Sequence, residues 1–138
     1  MSTQDNEALV RRFLDEAYNK RNLAVGDEML TAGCVFYTPT AIQGIAGWKM
    51  FATAFLTAFP DDLQITVEDA FATEDKVAAR WTARGTHKGP LRGIAPTGKE
   101  VRWLGMALYY FSSGKIKEVW GLNDALGMMQ QIGAIPSK

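Results

Sequence analysis

Val10, Phe13, Leu14, Ala17 and Tyr18 stand at the spacing of one helical face, with Arg11, Arg12, Asp15, Glu16 and Asn19 opposite. The pattern predicts an amphipathic helix over about residues 5–21, with Thr3 or Asp5 placed to accept from the free amides of its first turn. A shorter helical turn is expected from Val25 to Leu30, and a β-prone run from Cys34 to Thr38 stops at Pro39. From Ala46 to Phe59, the residues Trp48, Phe51, Ala52, Phe55 and Phe59 form one apolar stripe of a second long helix, and filling a core is the usual fate of such a stripe. The segment AFPDD ends it.

Beyond Asp62 the period changes to two: Leu63, Ile65, Val67 and Phe71 alternate with Gln64, Thr66 and Glu68. Val77 to His87, Glu100 to Ser112 and Lys115 to Leu122 read the same way. In the third of these runs Val101, Trp103, Ala107, Tyr109 and Phe111 share one face and Leu104, Met106, Leu108 and Tyr110 the other, so both faces need cover. The long helices can cover only one, and an identical subunit is the simplest cover for the second, which makes a homodimer the expectation. Ser112 to Lys115 reads as a tight hairpin, His87 to Lys99 as a long hairpin loop, and Asp124 to Gln131 as a short last helix stopped by Gly133. Helices gathered before strands argue for an α+β domain in which a bent antiparallel sheet wraps over helices and can leave a blind apolar cavity at its open end.

A chain of 138 residues, 47% hydrophobic and 22% charged, has the size of one domain, taken here as residues 1–138, and can hold its core without disulfides or metal. Fifteen basic residues balance fifteen acidic ones, which gives no long-range pull on nucleic acid or on an acidic membrane. The start, MSTQDNEALV, lacks a basic segment before an apolar run, so the cytoplasm is the expected location. Cys34 and His87 are the only residues of their types, which argues against zinc-type sites and against Cys/His or Ser/His/Asp catalysis. Asp61 and Asp62 sit in a turn beside Pro60 and read as solvated charge, so no metal is assigned. Gly93 to Lys99 fits the first seven positions of a phosphate-binding loop, but Glu100 replaces the required Ser or Thr and a strand follows, so nucleotide binding is rejected.

The remaining chemistry rests on a few side chains. Trp120, Leu122 and Asp124 share strand parity, so the Asp124 carboxylate could project into the same apolar space as the indole and act as a base, or it could cap the helix that begins at Ala125. His87 continues the parity of Val77, Ala79, Trp81, Ala83 and Gly85, which puts its imidazole either at a cavity rim or in a solvated loop. Asp69 lies on the Ile65, Val67, Phe71 face with Arg80 as a possible neighbour, and a structural ion pair satisfying two buried charges is the first reading of the pair. Tyr37, Tyr109 and Tyr110 could donate to a ligand or pack in core and interface.

AFPD at 58–61, VAARWTARGTHKG at 77–89, APTGKEV at 95–101, GKIKEVWGLND at 114–124 and QQIG at 130–133 together resemble the SnoaL-like polyketide cyclase family over most of the chain. The resemblance implies the NTF2-like cone, a curved sheet closed on one side by helices around a pocket, and cofactor-free aldol chemistry on a hydrophobic carbonyl compound. It implies that Asp124, at the end of the last strand, abstracts a proton beside the carbonyl, and that His87 of the Gly-Thr-His segment orients or polarises the substrate. Where many relatives carry a histidine in the first strand this chain reads Val35-Phe36-Tyr37-Thr38-Pro39, and a phenol donates a hydrogen bond but is almost never cationic. The expected site therefore comprises Asp124 and His87 as catalytic residues, with Tyr37 and Trp120 contacting substrate and Asp69 and Arg80 nearby. Two alternatives stand beside it: a hydrolase of epoxides or esters using Asp69, Arg80 and Asp124 to activate water, and a noncatalytic binding or dimerisation module.

Overall fold

In the computed structural model, which describes residues 3–136, the chain begins with helix α1 (Thr3–Leu14) and helix α2 (Val25–Met29). Strands β1 (Leu30–Tyr37) and β2 (Ala41–Gln43) lead into the long helix α3 (Gly44–Ala58). Strands β3 (Gln64–Ala72), β4 (Lys76–Thr86), β5 (Glu100–Ser112) and β6 (Lys115–Asn123) follow, and helix α4 (Ala125–Gln131) closes the series. The strands form one curved sheet in the order β2-β1-β6-β5-β4-β3, antiparallel except for the parallel pair of β1 with β6. The bent sheet over helices is the α+β arrangement expected from the element order and the cone that the resemblance implies, with one parallel pair where an antiparallel sheet was expected.

Local chemistry accounts for the departures from the simple pattern. The first helix does not run regularly to residue 21: α1 gives way to a π-helical turn at Asp15–Asn19. Within that turn the Asn19 amide both donates to the Ile65 carbonyl (2.8 Å) and accepts from the Ile65 N–H (2.6 Å), which fastens the helix to the edge of β3 as another strand would. Gln131 does the same at the other end of the molecule, accepting from Arg102 N–H and donating to its carbonyl. Strand β1 starts earlier than the β-prone run suggested and gains a short partner, β2, because its pairing is decided by β6 and not by local propensity.

The core lies between the helices and the inner face of the sheet. Trp48 of α3 is fully buried, tilted against Phe13 (5.0 Å between centroids) and stacked with Phe36 (6.5 Å). Gly26 of α2 rests on that indole so closely that a β-carbon there would lie 2.6 Å from the ring. Inner positions of β5 are buried as the alternation predicts, from Val101 and Trp103 to Phe111, while Leu104, Met106 and Leu108 are exposed on the outer face.

Two β-bulges break the alternation elsewhere. In β3 the register shifts between Val67 and Asp69, so Ile65 faces inward while Asp69 and Phe71, of the same parity, face outward; Phe71 is 68% exposed. In β6 the register shifts opposite Tyr110 and Phe111, and the buried residues run Ile116 and then Val119, three apart. The inner residues of the rest of β6 are therefore Gly121 and Asn123, Trp120 lies outside, and the largely exposed Leu122 borders the cavity only at its edge.

Candidate functional site

The cone encloses a narrow cavity with an open mouth, whose interior leaves about 60 Å³ for the centre of a water-sized molecule. Its wall is chiefly aromatic. Phe51 and Phe55 of the α3 stripe are only half buried because they face this space, with Phe55 stacked on Trp103 (6.1 Å) and Trp103 against Phe59 (5.1 Å). No Asp, Glu, His, Lys or Arg lines the cavity among the described residues. Its polar groups are phenols, indoles, the Thr38 hydroxyl and one amide.

Two of those phenols, Tyr18 and Tyr109, lie deep in the cone. Burial pushes both hydroxyls well above the ordinary tyrosine range; the nearby Trp48 indole offsets this only partly at Tyr18, and Tyr109 is raised further by its neighbour Tyr18. Both therefore stay neutral and able to donate. The amide belongs to Asn123, whose Oδ1 accepts from the indole N–H of Trp81 (3.2 Å) and of Trp103 (3.1 Å) at once. This clamp depends on Gly105, the cross-strand neighbour of both Trp81 and Asn123; a β-carbon at Gly105 would sit 2.4 Å from the Trp81 indole nitrogen and 2.6 Å from the Asn123 oxygen.

Of the residues expected to form the site, Tyr37, Trp120, Asp69, Arg80 and Asp124 line a second, more open depression on the outer face of the sheet, and His87 lines neither that depression nor the cavity. Asp124 is exposed and caps α4, its carboxylate accepting from Gly127 N–H at 2.9 Å, so the cap reading describes its position and the cavity does not contain it. Trp120 does not wall the cavity: it lies on the outer face, stacked on Tyr37 at 4.1 Å, and its indole donates to Glu118. Tyr37 borders both the cavity mouth and the outer face. The bulge in β6 explains the exchange, since alternation counted from buried Ile116 points Trp120 and Leu122 inward and the extra residue reverses them.

Asp69 and Arg80 are cross-strand partners, as expected, but the β3 bulge leaves both exposed on the outer face, so there are no two buried charges to satisfy. His87 is wholly buried and lines neither the cavity nor its rim, because Phe59 packs between (6.4 Å between rings) and the 87–99 loop folds over it. Its Nδ1 accepts from Thr97 N–H (3.3 Å) and lies 3.0 Å from the Thr97 hydroxyl. Asp62 holds the preceding residue, accepting from Thr86 N–H and Oγ1, and these bonds, together with nearby Lys88 and Arg84, hold its carboxyl below the usual carboxylate range. Asp61 pairs with Lys88 at 3.0 Å. The phosphate-loop-like segment runs directly into β5, as the sequence reading required.

Among the described residues no group of three His, Cys, Asp or Glu side chains is placed to hold a metal ion, and no helix is long and apolar enough to cross a membrane. Sequence reasoning missed Asn123 and the role of Tyr18. The visible signal for the former was an uncharged polar residue between Leu122 and Asp124, overshadowed by the carboxylate beside it.

The family model described as SnoaL-like polyketide cyclase matches residues 8–132. The chain belongs to the SnoaL-like polyketide cyclase family. Solved structures of this NTF2-like type superpose on nearly the whole of it. A candidate SnoaL-like polyketide cyclase from Jannaschia sp. CCS1 is 27% identical with a TM-score of 0.87, covering 97% of this chain and 95% of that one. AclR from Streptomyces galilaeus, a candidate hydroxylase, is 29% identical with a TM-score of 0.89, covering 99% and 86%. IdmH from Streptomyces antibioticus, a candidate polyketide cyclase, is 28% identical with a TM-score of 0.80, covering 93% and 98%. No curated protein matches the sequence.

Proposed function

We propose that this SnoaL-like protein binds a flat, mostly apolar carbonyl or phenolic compound in its cone and eases enol formation in it by hydrogen-bonding the carbonyl oxygen while water at the open mouth takes the α-proton, as a cyclase-type enzyme would. The observation that carries this reading is the cavity wall, built of aromatic rings with uncharged donors and no ionised group. Such a wall favours burial of fused or conjugated rings, and neutral donors in a dry site stabilise a developing enolate oxygen more than water would. The family membership supports a cyclase role, and the likeness to AclR keeps hydroxylase-type substrates of the same shape within the class.

The test is deuterium exchange at C2 of 1-tetralone in D2O, followed by NMR with and without protein. Acceleration above buffer is the expected result. Binding without acceleration would identify a noncatalytic binder, and no binding would remove the cavity reading itself. Asp124→Asn, which preserves the helix cap, is expected to leave any acceleration within about twofold, since an exposed cap is a poor base. A loss of a hundredfold or more would restore Asp124 as the proton acceptor. Asp69, Arg80 and Asp124 lie outside this cavity and line the depression on the outer sheet face, so the hydrolase reading concerns that face and not the cone.

We also propose that a second copy of the chain covers the outer sheet face. Phe71, Leu104, Met106, Leu108 and Leu122 are exposed there beside Trp120, and Asp69 and Arg80 on the same face let two-fold-related copies pair opposite charges. Sedimentation should find a dimer for the natural chain at micromolar concentration and a folded monomer for Leu108→Glu; a monomeric natural chain would rule the dimer out.

A further inference from the structure

Asn123 sits where the cavity wall and the last turn of the sheet meet, and the geometry fixes which way its amide faces. Indole nitrogens only donate, so an atom that receives two of them is the amide oxygen, and Trp81 and Trp103 both point at it. The amide nitrogen is thereby directed away from the indoles, and its two N–H donors have no partner among the described residues. It is not sealed in the core: Asn123 is half buried and lines the cavity. Accepting two hydrogen bonds at oxygen also draws electron density from the nitrogen and strengthens its N–H groups as donors. On the cone side the wall around it carries no charged side chain, while on the outer face Asn123 also borders the depression that holds Asp69, Arg80 and Asp124.

We infer that the Asn123 amide, held by the Trp81 and Trp103 indoles, is the group that receives the carbonyl or enolate oxygen of the ligand in the cone. The inference rests on the cavity reading above and assigns it a specificity-determining residue. Trp81, Trp103 and Gly105 are positioning residues: the indoles fix the amide's orientation and the glycine leaves room for the contact. Neither the phenols nor the Thr38 hydroxyl is fixed by two such donors, so the amide is the donor whose direction is set before any ligand arrives.

The variant that separates this from a structural role is Asn123→Asp. A carboxylate of the same shape still accepts from both indoles, so the clamp persists while both donors are lost and a negative charge faces the ligand. The measurement is quenching of tryptophan fluorescence by 1-tetralone and by tetralin, its carbonyl-free counterpart. The natural chain is expected to bind the ketone roughly three- to tenfold more tightly than the hydrocarbon, the range of one net hydrogen bond, and Asn123→Asp to lose that preference while still binding tetralin. An unchanged preference in Asn123→Asp would overturn the inference and leave the cavity reading intact, whereas no binding of either compound to the natural chain would overturn both. If Asn123→Asp does not fold, the side-chain amide signal of Asn123 in the natural chain decides: it should shift on addition of 1-tetralone and not of tetralin, and equal shifts or none would overturn the assignment.

Discussion

Trp48→Ala is expected to lower the unfolding free energy by about 3–5 kcal/mol, the range for removing a large aromatic from a tight core. Against a total of about 5–15 kcal/mol for a domain, that is a large share, and the thermal midpoint should fall by roughly 10 °C or more. The site has little means of collapsing, because three separate elements meet on the indole: Phe13 from α1, Gly26 from α2 and Phe36 from β1. Chemical denaturation of both proteins measures the loss. A double-mutant cycle with Gly26→Ala adds a sign: the added methyl overlaps the ring in the natural chain, but in the Trp48→Ala background it enters vacated space and should cost less or help.

Gly105→Ala should cost about 1–3 kcal/mol for a single added methyl, far more than a glycine replacement at an open strand position. Its β-carbon would fall between the Trp81 indole and the Asn123 oxygen, both anchored by strand pairing on either side, so one of the two must leave. The second readout is ligand discrimination. With the amide released from the indoles, the preference for 1-tetralone over tetralin should drop to that of Asn123→Asp. A neutral effect on both stability and discrimination would mean that the indole shifts freely and that the clamp does not set the amide's direction.

Much of this architecture was legible because burial follows alternation wherever pairing is regular. Both faces of β5 were assigned correctly from Val101 to Phe111, and the α3 stripe from Trp48 to Phe59 lies where the helical period put it. In β3 and β6 the expected site residues face away from the cone for one physical reason acting twice. A bulge adds one residue, and one residue reverses every side chain after it. In β3 it carried Asp69 and Phe71 outward, and in β6 it exchanged Trp120 and Leu122 for Gly121 and Asn123. Nothing in the residues Lys117 and Glu118 marks the second bulge, which shows only in the pairing of β6 with β5. His87 failed differently: its parity was right, but the 87–99 loop folds over it and Phe59 fills the space between it and the cavity.

The parallel pairing of β1 with β6 has a bearing on synthesis in the cell. Phe36 is made early but finds its strand partner, Val119, only near the far end of the chain. During translation Trp48 of α3 and strand β2 can cover β1 soon after it is made, but the strand edge that pairs with β6 stays unpaired until β6 has been made, and a chaperone able to shield that edge would raise the yield of folded protein.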